Sequence, residues 1–218
     1  MQLNKGDYLW LLTFCGVSAL LVIPATHRIF INGTQAHPYL LGFIKFMVLA
    51  TLGELLAIRI VSGRWSRPHG MAYKSVLWGV FGMMIVLMFE IYLSGVGGAV
   101  KKELLFVGDG AFSAVLTAFF ISALMNLTFA PAFMAVHRMT DTYIDMRADG
   151  QSPNWREVVA KIDWPCFIAF VVARTIPFFW IPAHTVTFLL PPEYRVLSAA
   201  YLSIALGAIL SYARRKKT

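Results

Sequence analysis

Charge is what this sequence has least of. Only 14% of its 218 residues are Asp, Glu, Lys or Arg, while 58% are apolar. A water-soluble globule needs about a quarter of its residues charged to keep water at its surface. A chain this poor in polar side chains cannot coat itself, so its outer surface faces lipid. Cysteine is equally scarce. Cys15 and Cys166 lie in apolar runs far apart, outside any CxxC or Cys/His cluster, which excludes a zinc site or a thiol-redox motif. Phe14 before Cys15 is too bulky for lipoprotein processing, and both cysteines read as small packing residues. There is no Walker loop, Gly-x-Ser-x-Gly elbow, HExxH pair or dinucleotide fingerprint, so no cofactor is expected.

What the chain does have is long apolar runs. A spanning helix needs about 20 mostly apolar residues to cross a hydrocarbon core of about 30 Å. Six segments reach or approach that length: Tyr8–Pro24, Pro38–Val61, Met71–Val96, Ala111–Val136, Trp164–Leu190 and Val196–Tyr212. The expected fold is therefore an all-α bundle of about six transmembrane spans, with 1–218 forming one membrane domain. The fifth run carries Pro165, Pro177 and Pro182, which predicts a kinked or broken helix. Lys5 before the first run is also compatible with a signal peptide ending near Ala25. The length of that run and the bulk of Ile23 favour an uncleaved span.

The net charge of +8 lies between and after the apolar runs, which suits anionic headgroups and not nucleic acid. With six spans, one side collects Lys5, Arg59, Arg64, Arg67, Lys74, Arg138, Arg147, Arg156, Lys161 and the tail Arg214, Arg215, Lys216 and Lys217. The other side has Arg28, Lys101, Lys102 and Arg195. Positive loops stay on the cytoplasmic or matrix side, so both termini are expected inside. The absence of a visible targeting presequence points to a bacterial cytoplasmic membrane, with an organelle membrane as the alternative. The segment His137–Asp163 is the one sizeable loop; Asp149-Gly150 and Ser152-Pro153 mark turns, and a short polar helix is expected from about Asn154.

Ionisable residues within spans are costly and need a reason. Glu54, Glu90 and Arg174 lie deep in the second, third and fifth runs, whereas Lys45 and Arg59 are near enough to an end to snorkel. Arg174 either pairs with Glu54 or Glu90, or these three line a polar path together with His184. The stretch from Arg174 to Thr185 sets Arg, Thr and His among two prolines whose missing N–H groups free backbone carbonyls, as in the broken helices of transporter sites. The plainer alternative is a proline-bent helix packed with aromatics. His137, Asp141 and Asp145 recur every four residues and would share a helix face that could bind a divalent cation. A solvated helix end explains the same spacing, so no metal is expected. Asp109 is expected to cap the fourth span, since the further aspartates of lipid-head phosphotransferases are missing. The sixth run has small residues at Ala200, Ser203, Gly207 and Ser211, a packing face for intrachain contacts or a homo-oligomer.

The second half of the chain resembles the Mpv-seventeen and peroxisomal-membrane-protein family of small organellar membrane proteins. Pro191-Pro192-Glu193-Tyr194-Arg195 is similar to that family's Pro-x-x-Tyr-Arg signature, and Leu210-Ser211-Tyr212 falls at the distance of its Leu-Ser-aromatic element. Trp180-Ile181-Pro182 stands near its Trp-Pro, Asn154-Trp155 precedes that span similarly, and Leu52-Gly53-Glu54 resembles its Gly-Asp. Gly82, Phe89 and Asp109 fall on further positions of the pattern. Ile181 interrupts Trp-Pro, Met83 replaces a proline, Ile58 stands where a Gln is expected, and the family has about four spans. The resemblance implies a weakly selective pore or solute conduit. From the residues, a small-solute pore or transporter stands first. A lipid- or isoprenoid-modifying enzyme using His137, Asp141 and Asp145, and a membrane assembly protein, stand as alternatives.

Overall fold

The computed structural model describes residues 4–215, with side chains as far as Tyr212, so Lys216 and Lys217 of the basic tail lie outside the described residues. Those residues are all-helical, without a strand. The order is α1 (Lys5–Ala19), α2 (Pro24–Ala36), α3 (Pro38–Ser62), α4 (Met71–Lys101), α5 (Ser113–Thr128), α6 (Ala130–Ala148), α7 (Trp155–Lys161) and α8 (Trp164–Cys166). A π-helical segment (Phe167–Trp180), α9 (Ile181–Leu189) and α10 (Pro192–Arg215) complete the chain. Four helices are long and apolar enough to cross a membrane: Pro38–Ser62, Met71–Lys101, the continuous coil Trp164–Leu189, and Pro192–Tyr212. Two bent pairs raise the number to six only if each pair counts as one span.

Those two pairs correct the expected first and fourth spans. The run Tyr8–Pro24 is not one helix: α1 stops at Ala19 and meets α2 at 75°. Pro24 is the cause, since it forces Ile23 into an extended conformation (φ −69°, ψ 122°) and opens α2 at its first position. In the fourth run Pro131 does the same work. It ends α5 near Phe129 and starts α6 at 45° to it. α6 then continues as helix through half of the expected loop, to Ala148. Asp109 does not cap α5, whose cap position is Phe112 without a side-chain bond; the turn closed by Ser113 N–H on Gly110 O intervenes. The short helix near Asn154 does form, with Asn154 and Glu157 in a reciprocal capping box.

The chain divides into two compact units, Met1–Val86 with Val196–Thr218, and Leu87–Arg195. In the first, glycine sets the helix spacing. A Cβ on Gly82 of α4 would strike the carbonyl oxygen of Gly42 in α3, and one on Gly42 would lie 2.6 Å from Val86 Cγ2. The two backbones therefore touch. Gly53 meets the backbone of Ile204, so the small-residue face of α10 closes on α3 of the same chain. Such approach gains dispersion where lipid offers no hydrophobic drive between helices.

α1 is fastened to α3 by polar contacts. Asn4 and Asp7 form a capping box at its start. The Asp7 carboxylate also receives Arg59 Nε at 2.8 Å, Arg59 Nη2 at 2.7 Å and Trp65 Nε1 at 3.1 Å. Arg59 also donates to Gly63 O, beside the left-handed Gly63 (φ 72°) that ends α3. Trp10 stacks on Phe14 and Trp65 and donates to Leu52 O at 2.9 Å. Arg59 therefore does not snorkel; it is 2% exposed. Lys45 is likewise buried, at 7%, against Thr34 Oγ1 (3.0 Å) and the Phe30 ring of α2 (4.6 Å).

Two measurements check this packing. Gly82→Ala is expected to destabilise by about 1–3 kcal/mol through overpacking, whereas Gly95→Ala, with nothing within 4 Å, gains up to about 1 kcal/mol of helix propensity. Thermal melts in detergent decide, and equal shifts would refute the backbone contact. For the ion pair, Asp7→Asn and Arg59→Gln should each lower the melting temperature, with the double substitution losing clearly less than the sum. Strict additivity would show that the pair does not fasten α1.

Candidate functional site

The second unit contains a group of buried polar side chains, built where α5 packs on α9 and the π segment. α5 is a hydrophobic helix whose buried face carries Ala118, Ile121, Ser122, Met125 and Asn126. Ser122 and Asn126 are one turn apart, so both hydroxyl and amide point the same way. The facing coil owes its shape to proline. Pro177 has no N–H, and its ring crowds the carbonyl one α-turn back. Around it the ladder closes over five residues in place of four, and the segment ends with Ile181 N–H on Ile176 O. Thr175 Oγ1 adds a bond to Phe170 O at 3.1 Å. Pro182 then frees a second carbonyl as the coil narrows into α9.

Four side chains converge there. Ser122 Oγ donates to Ile181 O at 2.7 Å, a carbonyl that also receives Thr185 Oγ1 at 2.7 Å. The Asn126 amide nitrogen reaches Ser122 O at 2.9 Å and His184 Nδ1 at 3.0 Å. His184 Nδ1 also lies 3.3 Å from Asn126 Oδ1, so the amide serves it as donor or as acceptor according to the imidazole tautomer. His184 is 8% exposed, stacks on Trp180 (5.0 Å, 24°) and meets Phe89 edge-on (5.7 Å). Phe188 packs on the other side of Phe89 at 4.9 Å. Trp180 Nε1 is buried and finds no acceptor among the described residues. The cluster holds one unmatched buried donor, Trp180 Nε1, and no carboxylate, which suits it to an oxygen acceptor and not to a cation.

The other expected residues lie elsewhere. Glu54, in the first unit, accepts from Trp78 Nε1 at 2.8 Å. Glu90 is exposed, accepts from Ser94 Oγ at 2.8 Å and acts electrostatically on Arg195. Arg174 is exposed on the π segment and makes no ion pair or hydrogen bond with a described residue. Trp180, Pro182, Pro192, Tyr194 and Arg195 bracket α9 and the turn after it. Leu190 is extended before Pro191, Tyr194 N–H closes on Pro191 O, and Arg195 Nε donates to Leu190 O at 3.0 Å. Pro191 to Arg195 therefore form a hydrogen-bonded turn after α9. His137, Asp141 and Asp145 do share α6, but among the described residues no group of three such side chains could hold a metal ion. Each step of four residues climbs about 6 Å, so the first and last are about 12 Å apart along the axis.

Ser122 escaped sequence reading, and Asn126 was passed over, because neither is charged. A polar pair four residues apart inside an apolar run was the available signal.

Asn126→Leu should change the tautomer balance of the imidazole, read by nitrogen NMR of ring-labelled His184. It should also lower stability by about 1 kcal/mol, the usual worth of such a bond between membrane helices. An unchanged imidazole spectrum would remove Asn126 as its orienting partner. Comparison of the chain with protein-family models, curated proteins and solved structures finds no match for it.

Proposed function

We propose that this multi-pass membrane protein is a small-solute pore or transporter, with its solute site at the Ser122, Asn126, Trp180 and His184 cluster. The observation that supports this most is a spanning coil, Trp164–Leu189, that widens around Pro177 and runs directly into a buried group of donors. A broken or widened helix is tolerated at membrane depth only against protein or a wet path. A span built merely to anchor would keep regular bonds and a dry interior. The resemblance of Pro191–Arg195 to the signature of organellar conduits favours the same reading. The solute is small and offers an oxygen acceptor to Trp180 Nε1. Glu54, Glu90 and Arg174 stand outside the cluster in this reading. Both termini lie on the side that gathers the basic loops, in a bacterial cytoplasmic or an organelle membrane.

Purified protein in liposomes should raise permeability to small polyols and carboxylates several-fold over empty vesicles, measured by stopped-flow light scattering. Asn126→Leu and His184→Phe should each cut the flux per folded molecule at least about fivefold, a barrier change of about 1 kcal/mol. Flux no greater than in empty vesicles, at any voltage or pH, would refute the proposal.

A further inference from the structure

The Ser122, Asn126, Trp180 and His184 cluster is polar without carrying an acidic or basic chain. α5 and α9 contain no Asp, Glu, Lys or Arg, and His184 is the one titratable side chain on either. The π segment contributes Arg174, which is exposed, and α4 contributes Glu90 beside Phe89, also exposed and bonded to Ser94. α6, packed on α5, has its first ionisable residue at His137, well beyond Asn126. Aromatic rings pack around His184: Trp180 stacks on it, Phe89 meets it edge-on, and buried Phe188 lies against Phe89. The carbonyls nearby are taken up, Ile181 O by Ser122 and Thr185, and Ser122 O by Asn126. Two groups are left over. Trp180 Nε1 is a donor without an acceptor. His184 Nε2 makes no hydrogen bond with a described residue, and gives or takes a hydrogen according to the tautomer.

A carboxylate stripped of water here would meet no Lys or Arg, and one indole N–H returns only part of its lost hydration. A cation would meet no carboxylate. An uncharged molecule with an oxygen acceptor beside an O–H suits both open groups. The acceptor takes Trp180 Nε1, and the O–H donates to His184 Nε2 in the tautomer that holds its proton on Nδ1. Resting on the solute site proposed above, we propose that the cluster passes solutes only as electrically neutral units, so that a carboxylate crosses together with one proton. The carboxylate takes that proton from water on the side it leaves and returns it to water on the side it enters. No net charge moves. Carried on the carboxyl or on His184 Nε2, the proton gives the same balance.

Glycerol and glycerate, which share a carbon skeleton, test this in liposomes holding the full-length chain, with equal pH on both sides. Each flux is taken above that of empty vesicles, which removes passage of the acid through lipid. The ratio of glycerate to glycerol flux cancels any effect of pH on the protein itself. That ratio should fall about tenfold per unit from about pH 5 to about pH 7, as the protonated acid becomes scarcer. A luminal dye should record acidification as glycerate enters, and an imposed membrane voltage should leave its rate unchanged. Trp180→Phe, which removes the unmatched donor, should lower both fluxes at least about threefold per folded molecule. A ratio independent of pH, or glycerate entry that follows voltage, overturns neutral passage while glycerol flux still supports the conduit. Fluxes unchanged in Trp180→Phe would put passage elsewhere and overturn it as well. Glycerol flux no greater than in empty vesicles overturns both the conduit and this inference.

Discussion

Every backbone N–H and C=O that enters hydrocarbon must be satisfied inside its own helix, and this chain handles that constraint mainly with proline. Pro24, Pro38, Pro131, Pro165 and Pro192 all stand in the first two positions of a helix, where a missing N–H costs nothing. They decide where helices begin, and at Pro24 and Pro131 they bend the chain. Pro177 and Pro182 sit deep inside the continuous coil Trp164–Leu189. The response there is a change of winding. The ladder shifts by one residue, and the wide segment delivers Trp180 and His184 onto Ser122 and Asn126.

Much of this was legible in the residues. Scarce charge and long apolar runs foretold an all-helical membrane chain. The second, third, fifth and sixth runs became helices starting or ending within about five residues of the expected bounds, close to the usual scatter at helix ends. The short helix from about Asn154 was expected from the residues, and the structure adds its capping pair with Glu157. The bends at the first and fourth runs were not legible because hydropathy ignores backbone geometry: at Pro24 and Pro131 the composition stays apolar while the axis turns by 75° and 45°.

Charge was harder to place. Arg59 looks free to snorkel because it stands near a helix end, yet Asp7 is 52 residues earlier and no local pattern links them. Trp10 and Trp65 then seal the pair, so an arginine expected at the surface is buried. Glu54, Glu90 and Arg174 were conspicuous because charge in an apolar run is conspicuous. The convergent polar group instead formed from uncharged Ser122 and Asn126, whose cost of burial is lower and whose trace in composition is faint.

The slow winding of the π segment has a consequence for how variation along it should be interpreted. Between Phe167 and Trp180 a helical wheel drawn at 3.6 residues per turn assigns side chains to the wrong faces, with an error that grows at each step. Removing or adding one residue there is not a local event. It rotates everything downstream, so His184 would leave Asn126 although neither residue had been touched. Length across this stretch is therefore held as tightly as any single side chain, and deletions should be rarer there than substitutions.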